Sequence, residues 1–430
     1  MKSDFDDIIL GIDSKVILRD GSEVRSINFD NAATTPTFKE VIDNIIKYSD
    51  YYGSIGRGTG HKSEITTRLY LESRNYILNY FNVPNKDDYT VVYVSNTTDG
   101  INKLAKILIK SKDDIIISTR MEHHSNDLPW REACMVDYIE VDKNGRLQLC
   151  ELEEKLIKYK GKVKYVTMTG ASNVTGYVND IHKAAEIIHR YNAKIIVDGA
   201  QLVPHMKVNM SGNTSEQKID FLVFSSHKLY APFGSGAIIG TKEDFDSNIP
   251  CSEGGGTVNF VMDNEVEYLL SPERDEAGTP NFFGVLGMIS ALEVLDRIGF
   301  SNIHKNELEL KKRMIEGLSK IPKINQYGDW DVNNIYDSVG IIVFNIGTLY
   351  HQLAAEILAK DYGIAIRQGW FCAHPYCRRL MHISEKAAGA FIKNPNERMP
   401  GMLRISFGIY NTKEEVDYFL EAVDNISKKM

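Results

Sequence analysis

Short apolar runs alternate with helical segments through the middle of this 430-residue chain, and this alternation constrains the fold most strongly. Each run has the length and the β-branched composition of a buried strand, whereas the segments between them carry apolar residues at helical spacing, as at 181–191. Repeated strand–helix–strand units are typical of an α/β fold with a mainly parallel sheet and crossover helices. The predicted strands are residues 91–94, 115–118, 164–169, 194–197 and 221–224, with a returning strand that ends near residue 239.

Polar residues follow these predicted strands closely. They are Thr98, His123, Asn173, Asp198 and Lys228. In open parallel sheets, ligands bind beyond the carboxyl ends of the strands. We therefore predict that these five side chains converge on one site.

Lys228 ends the polar step Ser225-Ser226-His227-Lys228, which lies between a predicted strand and a Gly/Pro-rich turn. A lysine this close to buried strands loses hydration, which lowers its pKa and makes the neutral amine available. Schiff-base chemistry with an aldehyde cofactor requires such an amine. Taken alone, Lys228 fits a solvated lysine at a strand end better. The polar residues at the neighbouring strand ends favour the cofactor role.

Several other segments have two interpretations. The small residues around Ala32 fit either a close approach of backbone to ligand or the start of a helix. Hydroxyls at Thr98 and beside it fit either anion binding or helix capping. His123 and its neighbour fit surface polarity, or a ring lying flat against a planar ligand. The glycine-rich segment 53–60 carries Arg57 but lacks the GKS/T ending of a phosphate loop.

The pattern changes after a long apolar helix predicted at 283–298. Helices near 308–318 and 414–427 then flank strands near 339–345 and 403–406, which indicates a smaller α+β domain. We predict an N-terminal segment at 1–27 that packs with the small domain, a large cofactor-binding domain at 28–295 and a small domain at 296–430. A long polar loop is expected between Cys377 and Pro400.

Composition excludes several classes of function. The net charge is −8 and no long basic run occurs, so neither nucleic acid nor an anionic membrane surface is expected as the main partner. We find no signal peptide and no apolar run long enough to span a membrane, which favours a cytoplasmic protein. The five cysteines form no CxxC pair and no zinc knuckle, so no metal site is expected and a reduced compartment is favoured.

A series of motifs resembles the class V, fold-type I aminotransferase superfamily, whose members use pyridoxal 5'-phosphate (PLP). The closest similarity is to cysteine desulfurases and selenocysteine lyases of the NifS/SufS kind. The resemblance extends from Phe29 to Thr412, and its motifs occur in the family's order. They are FDNAATTP, EHHSN, SNVTG, VDGAQ, SSHKLYAPFGSG, EAGTPN, RQGWFCAHP and RISFGIYNT.

This resemblance implies a large domain with a seven-stranded sheet, and it assigns roles to the cofactor-site residues. Lys228 forms the Schiff base and shuttles protons, Asp198 keeps the pyridine nitrogen protonated, and Gln201 binds the phenolic oxygen. His123 stacks on the ring and helps to move protons, and Asn173 lies beside the same oxygen and the substrate. The residues that hold the phosphate are Thr97, Thr98, Ser225, His227 and, from the other subunit of a homodimer, Thr279.

The resemblance also implies a substrate site and a nucleophile. Arg404 binds the substrate carboxylate as a bidentate fork, with Ala32 and Arg57 nearby. Cys372 lies in the desulfurase pattern R-x-G-x-x-C-A-x-P, where a thiolate attacks the sulfur of L-cysteine, keeps it as a persulfide and releases L-alanine. A sulfur-acceptor protein is then a possible partner. The alternative for Cys372 alone is a buried structural cysteine.

Three departures leave the substrate and the acceptor open. Ser226 stands where the family often has glycine, and Trp370 and Phe371 stand where it has histidines. The segment after Cys377 is also longer. Two alternatives therefore remain. One is another class V enzyme (aminotransferase, epimerase, selenocysteine lyase or carbon–sulfur lyase) in which Cys372 is a bystander, and the other is a non-catalytic sulfur-transfer scaffold.

Overall fold

The structure, a computed structural model of the chain, describes residues 7–56, 58–247, 250–394 and 398–430. Its centre is a seven-stranded sheet with the spatial order β4-β10-β9-β8-β7-β5-β6. The strand β10 is antiparallel to both of its neighbours, and the other pairings in the sheet are parallel. These strands are β4 (Tyr89–Val94), β5 (Ile115–Thr119), β6 (Met135–Ile139), β7 (Val163–Thr169), β8 (Lys194–Asp198), β9 (Phe221–Ser225) and β10 (Gly236–Thr241). The predicted mainly parallel seven-stranded sheet is confirmed.

Every residue of β4 and β9 is buried. Strands covered on both faces are apolar along their whole length, and for this reason they appear in the sequence as continuous runs. Helices that connect these strands, precede them or follow them in the chain pack around the sheet. They are α1 (Lys39–Ser49), α2 (His61–Tyr80), α3 (Thr97–Leu108), α4 (Leu128–Ala133), α5 (Cys150–Tyr159), α6 (Ile181–His189), α7 (Lys242–Phe245) and α8 (Phe282–Ile298).

A smaller antiparallel sheet, with the order β13-β14-β17-β16, forms the C-terminal part of the fold. Its strands are β13 (Ile324–Tyr327), β14 (Ile341–Ile346), β16 (Arg367–Gly369) and β17 (Met402–Ser406). Helices α9 (Phe300–Leu318), α10 (His351–Tyr362) and α13 (Lys413–Lys428) lie in the same part of the chain.

The N-terminal segment contributes side chains to the hydrophobic cores of both sheets. The strands β1 (Lys15–Ile17) and β2 (Glu23–Arg25) form a hairpin, and β3 (Ile27–Asn28) pairs in parallel with β15 (Ile364–Ala365). The side chains after β3 divide between two hydrophobic cores. Phe29 packs in the core of the smaller sheet, whereas Ala32 and Phe38 pack in the core of the large one. The domain boundaries after residues 27 and 295 stay predictions.

The loop expected between Cys377 and Pro400 is a wrong prediction, because this segment contains two helices. They are α11 (His374–Leu380) and α12 (Glu385–Lys393). Pro375 lies in the first turn of α11, where a missing N–H costs nothing, and Ser384 caps α12 by accepting from the Ala387 amide. An exposed hairpin formed by β11 (Val258–Val261) and β12 (Val266–Tyr268) was also not predicted.

The described residues contain no helix long and apolar enough to cross a membrane. The same residues contain no cluster of three histidine, cysteine or carboxylate side chains arranged to hold a metal ion.

Phe29 tests the core of the smaller sheet. It is fully buried, and its ring meets those of Phe407 and Phe419 edge-on at 5.5 and 5.7 Å between centroids. We expect Phe29→Ala to lower the free energy of unfolding by about 3–5 kcal/mol, measured by urea denaturation, because it leaves a cavity among packed rings. Tyr336→Ala, at a 73% exposed aromatic residue, should change it by less than about 0.5 kcal/mol. Equal effects of the two substitutions would contradict this description of the core.

Candidate active site

A cavity of about 860 Å³ lies at the carboxyl edge of the large sheet. The segments that follow β4, β5, β7, β8 and β9 all contribute to its wall, because these strands point in the same direction. The segment from β16 to α11 and the strand β17 close the other side. The predicted site residues that line it are Ala32, Thr97, Thr98, His123, Asn173, Asp198, Gln201, Ser225, His227, Lys228, Cys372 and Arg404.

Two predicted site residues do not line this cavity. Arg57 lies outside the described residues. Thr279 is exposed and lies beside a separate cavity, in a loop that follows the buried carboxylate of Glu276. Arg74 pairs with Glu276 at 2.6 Å and fixes this loop against α2.

The Lys228 amine is the central charged group of the cavity. A single helical turn after β9 presents it, and the carbonyl of His227 is fixed by the Thr35 amide at 3.1 Å. Burial lowers the pKa of Lys228 to about 8, the charges of Asp198 and Cys372 raise it, and the charge of Arg404 lowers it. The lysine therefore releases a proton far more easily than a surface lysine.

Asp198 ends β8 beside Lys228. One of its carboxylate oxygens accepts a hydrogen bond from the Ala200 amide at 2.9 Å, and burial raises its pKa, opposed by that hydrogen bond and by the charge of Lys228. Gln201 donates to the carbonyl of Ala32 at 2.6 Å, while its side-chain oxygen is buried with no hydrogen-bond partner among the described residues. Both side chains therefore present unused polar atoms to the cavity.

Hydroxyl groups gather at the start of α3. Asn96 caps this helix, so the hydroxyls of Thr97 and Thr98 are not needed as caps. Ser225 Oγ accepts from the Thr97 amide at 2.7 Å, and the hydroxyls of Thr98 and Ser125 lie 2.6 Å apart. Hydroxyls combined with the positive end of a helix form a site for an anion such as phosphate. Ser125 was missed as a site residue, although it lies in the quoted motif EHHSN.

His123 lines the same cavity as Lys228. Its Nδ1 accepts from the Ser125 amide at 3.1 Å, so the proton of the neutral ring is on Nε2. Burial lowers the pKa of His123 to about 3, and the charges of Lys228, His124 and Arg404 add to this effect. The ring is therefore neutral at physiological pH.

Arg404 lies on β17 and reaches the cavity from the smaller sheet. One of its terminal nitrogens donates to Asp30 at 3.0 Å and the other to the carbonyl of Asn173 at 2.9 Å. Its Nε is buried without a hydrogen-bond partner among the described residues. Asp30 also pairs with Arg367 at 3.1 Å. Sequence reasoning missed Asp30, because it meets Arg404 only through the fold.

Cys372 is exposed to the cavity, and its backbone is firmly held. Both Phe371 and Cys372 adopt the left-handed conformation, with φ near 50°, which side chains rarely occupy. The carbonyl of Phe371 accepts from the Asn173 side chain at 2.7 Å, and that of Cys372 accepts from the His124 amide at 2.6 Å. Backbone strain of this kind persists only where surrounding contacts impose it, and it is concentrated at functional sites.

Cys377 differs from Cys372 in its exposure to solvent. It is fully buried in α11, its thiol donates to the carbonyl of Trp370 at 3.2 Å, and burial raises its pKa strongly. A buried thiol that stays protonated is a poor nucleophile.

The charges around Lys228 provide a test in the cofactor-free protein. Competitive labelling of Lys228 with an amine-specific reagent, followed by mass spectrometry, should give a midpoint near pH 8. Asp198→Asn removes a charge that raises the pKa of Lys228 and should shift the midpoint to lower pH. Arg404→Gln removes a charge that lowers it and should shift the midpoint to higher pH. A wild-type midpoint at the ordinary value for lysine, or shifts in the same direction, would contradict this description.

The chain is similar to known proteins along most of its length. Residues 27–419 match the family model described as aminotransferase class V. A probable cysteine desulfurase from Pyrococcus abyssi is 33% identical, with 94% of this chain and 95% of that protein covered.

Two solved structures are also similar over nearly the whole chain. The apo structure of a cysteine desulfurase from Thermococcus onnurineus NA1 superposes with a TM-score of 0.82 at 31% identity, covering 94% of this chain and 95% of that one. For the cysteine desulfurase CsdA of Escherichia coli the TM-score is 0.78 at 27% identity, with the same coverage. The protein therefore belongs to the aminotransferase class V family.

Proposed function

We propose that this protein is a PLP-dependent cysteine desulfurase that converts L-cysteine to L-alanine and retains the sulfur as a persulfide on Cys372. The observation that carries the proposal is the exposure of Cys372 to the cavity that contains Lys228, close enough for its charge to raise the pKa of that lysine. The relatives named cysteine desulfurases, which match over nearly the whole chain, support the same activity.

The residues of the cavity fit PLP. Lys228 supplies an amine for the aldehyde group, and the buried carboxylate of Asp198 suits a protonated ring nitrogen. Hydroxyls of Thr98 and Ser225 at the start of α3 suit the phosphate. The unpaired oxygen of Gln201 is available for a polar group of the ring. When bound, PLP supplies an electron sink that allows bonds at the substrate's carbon atoms to break.

The protein's own residues then have separate tasks. Arg404 binds the substrate carboxylate, and the pairing with Asp30 fixes the orientation of its guanidinium. Lys228 takes up and returns protons at the substrate carbon, which its lowered pKa favours. The neutral ring of His123 covers one wall of the site. The sulfur of Cys372 attacks the substrate sulfur.

A homodimer would complete the phosphate site. Thr279 is exposed and lies outside the cavity of its own chain, which is compatible with a contribution to the site of a second copy. The nearby hairpin exposes apolar side chains, including Phe260 at 62% and Val261 at 56%, and such a surface favours burial against a partner. The loop carrying Thr279 is joined to the segment before this hairpin by a hydrogen bond from the Gly278 amide to the Gly255 carbonyl, 2.8 Å long. A sulfur-acceptor protein and a cytoplasmic location stay predictions.

The cofactor is tested first. Purified protein should be yellow, and borohydride should fix the cofactor covalently to Lys228 but not to the Lys228→Ala variant. Asp198→Asn should still bind PLP and lose more than about 100-fold in turnover, because the ring nitrogen is no longer held protonated. Protein that stays colourless and cannot be trapped after PLP addition would refute the proposal, and full activity of Asp198→Asn would refute the role of that carboxylate.

The role of Cys372 separates a desulfurase from another class V enzyme. Cys372→Ala should bind cysteine normally, form no persulfide and lose more than about 100-fold in alanine release, since only this thiol is exposed to the cavity. Cys377→Ala is the control and should keep activity within about twofold, because its buried thiol takes no part. Alanine release by Cys372→Ala at the wild-type rate would make the thiol a bystander and favour a lyase or an aminotransferase.

A further inference from the structure

Three histidines lie in the two segments that meet at the backbone of Cys372, although none of them directly precedes it in the sequence. His123 and His124 come from the segment after β5, and His374 is the first residue of α11. The rings of His124 and His374 meet edge-on at 4.6 Å between centroids, and the His124 amide donates to the Cys372 carbonyl. His123 and His374 line the same cavity as the thiol.

Backbone amides occupy one ring nitrogen in two of these histidines. Nδ1 of His123 accepts from the Ser125 amide, and Nε2 of His124 accepts from the His374 amide at 3.2 Å. Each of these neutral rings therefore carries its proton on the other nitrogen and has no free lone pair for a thiol proton. The ring of His374 makes no hydrogen bond with any described residue, so one of its nitrogens is free to accept a proton.

The other contacts of His374 fix the ring without using its nitrogens. Trp370 packs against it at 5.1 Å between centroids, and His124 also contacts it, edge-on at 4.6 Å. Partial burial lowers the pKa of His374, which favours the neutral ring, the form that can accept a proton. The indole and phenyl groups at 370 and 371 have no basic atom, so the residues directly before the thiol cannot perform this task.

We propose that His374 is a further catalytic residue that accepts the thiol proton of Cys372 as its sulfur attacks the substrate. The inference rests on the proposed desulfurase function. His124 acts as a positioning residue, because its ring accepts from the backbone of His374 and packs against its side chain.

The step is balanced without an external oxidant. The Sγ–H bond of Cys372 breaks and its proton moves to the His374 ring, while a new bond forms between Sγ and the sulfur of L-cysteine. The bond from that sulfur to the substrate's β-carbon breaks, and its electron pair remains on this carbon, which later takes a proton to become the methyl group of alanine. The two sulfurs together lose two electrons, and the carbon gains them.

His374→Gln tests the proposal in the PLP-loaded enzyme. Rapid mixing with L-cysteine, followed by mass spectrometry of the peptide that contains Cys372, should show persulfide formation slowed about 100-fold, with cysteine binding unchanged. Alkylation of Cys372 by iodoacetamide in the absence of substrate should slow about tenfold, because the thiol has lost its proton acceptor. His382→Gln, at an exposed histidine outside the cavity and further along the same segment, should match the wild type in both measurements.

Chemical rescue distinguishes proton transfer from a structural effect. His374→Ala leaves space beside the thiol, and free imidazole should restore persulfide formation in a concentration-dependent way. Wild-type persulfide formation in His374→Gln would overturn the inference. A slow variant that imidazole does not rescue and whose alkylation rate is unchanged would also overturn it. In both cases a wild-type enzyme that forms persulfide and alanine would leave the proposed function intact.

Discussion

The site depends on keeping a lysine amine in a cavity where water cannot fully solvate it. β9 and the helical turn after it bring Lys228 to the carboxyl edge of the sheet, and burial lowers its pKa to about 8. The charges of Asp198 and Arg404 then act on it in opposite directions. In water these charges would be screened, whereas in the cavity each of them changes the fraction of neutral amine. The parallel sheet therefore brings Lys228 and Asp198 together, and Arg404 joins them from β17 of the smaller sheet.

The second requirement is that the smaller sheet closes the same cavity. Arg404 enters from β17, and Cys372 lies between β16 and α11. Asp30, which follows β3, pairs with Arg404 and links the N-terminal segment to this wall. The strained backbone at Cys372 is held by Asn173 and by the His124 amide, both of which belong to the large sheet. The thiol is thus positioned by contacts from both parts of the fold.

Much of this arrangement could be predicted from the sequence, because it depends on local patterns. Buried strands followed by polar residues are visible as such, and strands of one direction place Asp198 and Lys228 at one edge. The pairing of Asp30 with Arg404 could not be predicted, since these residues are 374 positions apart and neither segment has a signal for the other. The helices α11 and α12 were missed because both are short. Pro375 lies in the first turn of α11, where a proline is compatible with a helix.

For the histidines near Cys372 as well, the sequence shows which residues are adjacent, whereas only the fold shows which groups they contact. His123 and His124 were noted as a pair. Only the fold shows that backbone amides occupy one nitrogen of each of these rings, whereas the His374 ring makes no hydrogen bond among the described residues.

The proposed activity depends on Cys372 reacting with sulfur inside this cavity. The most direct measurement is a single turnover of the PLP-loaded wild-type enzyme with L-cysteine and no reductant, in which alanine and protein-bound sulfur are measured together. The account predicts one alanine per chain and one additional sulfur atom on the peptide that contains Cys372. Alanine accompanied by free sulfide and an unmodified Cys372, or no alanine at all, would contradict it.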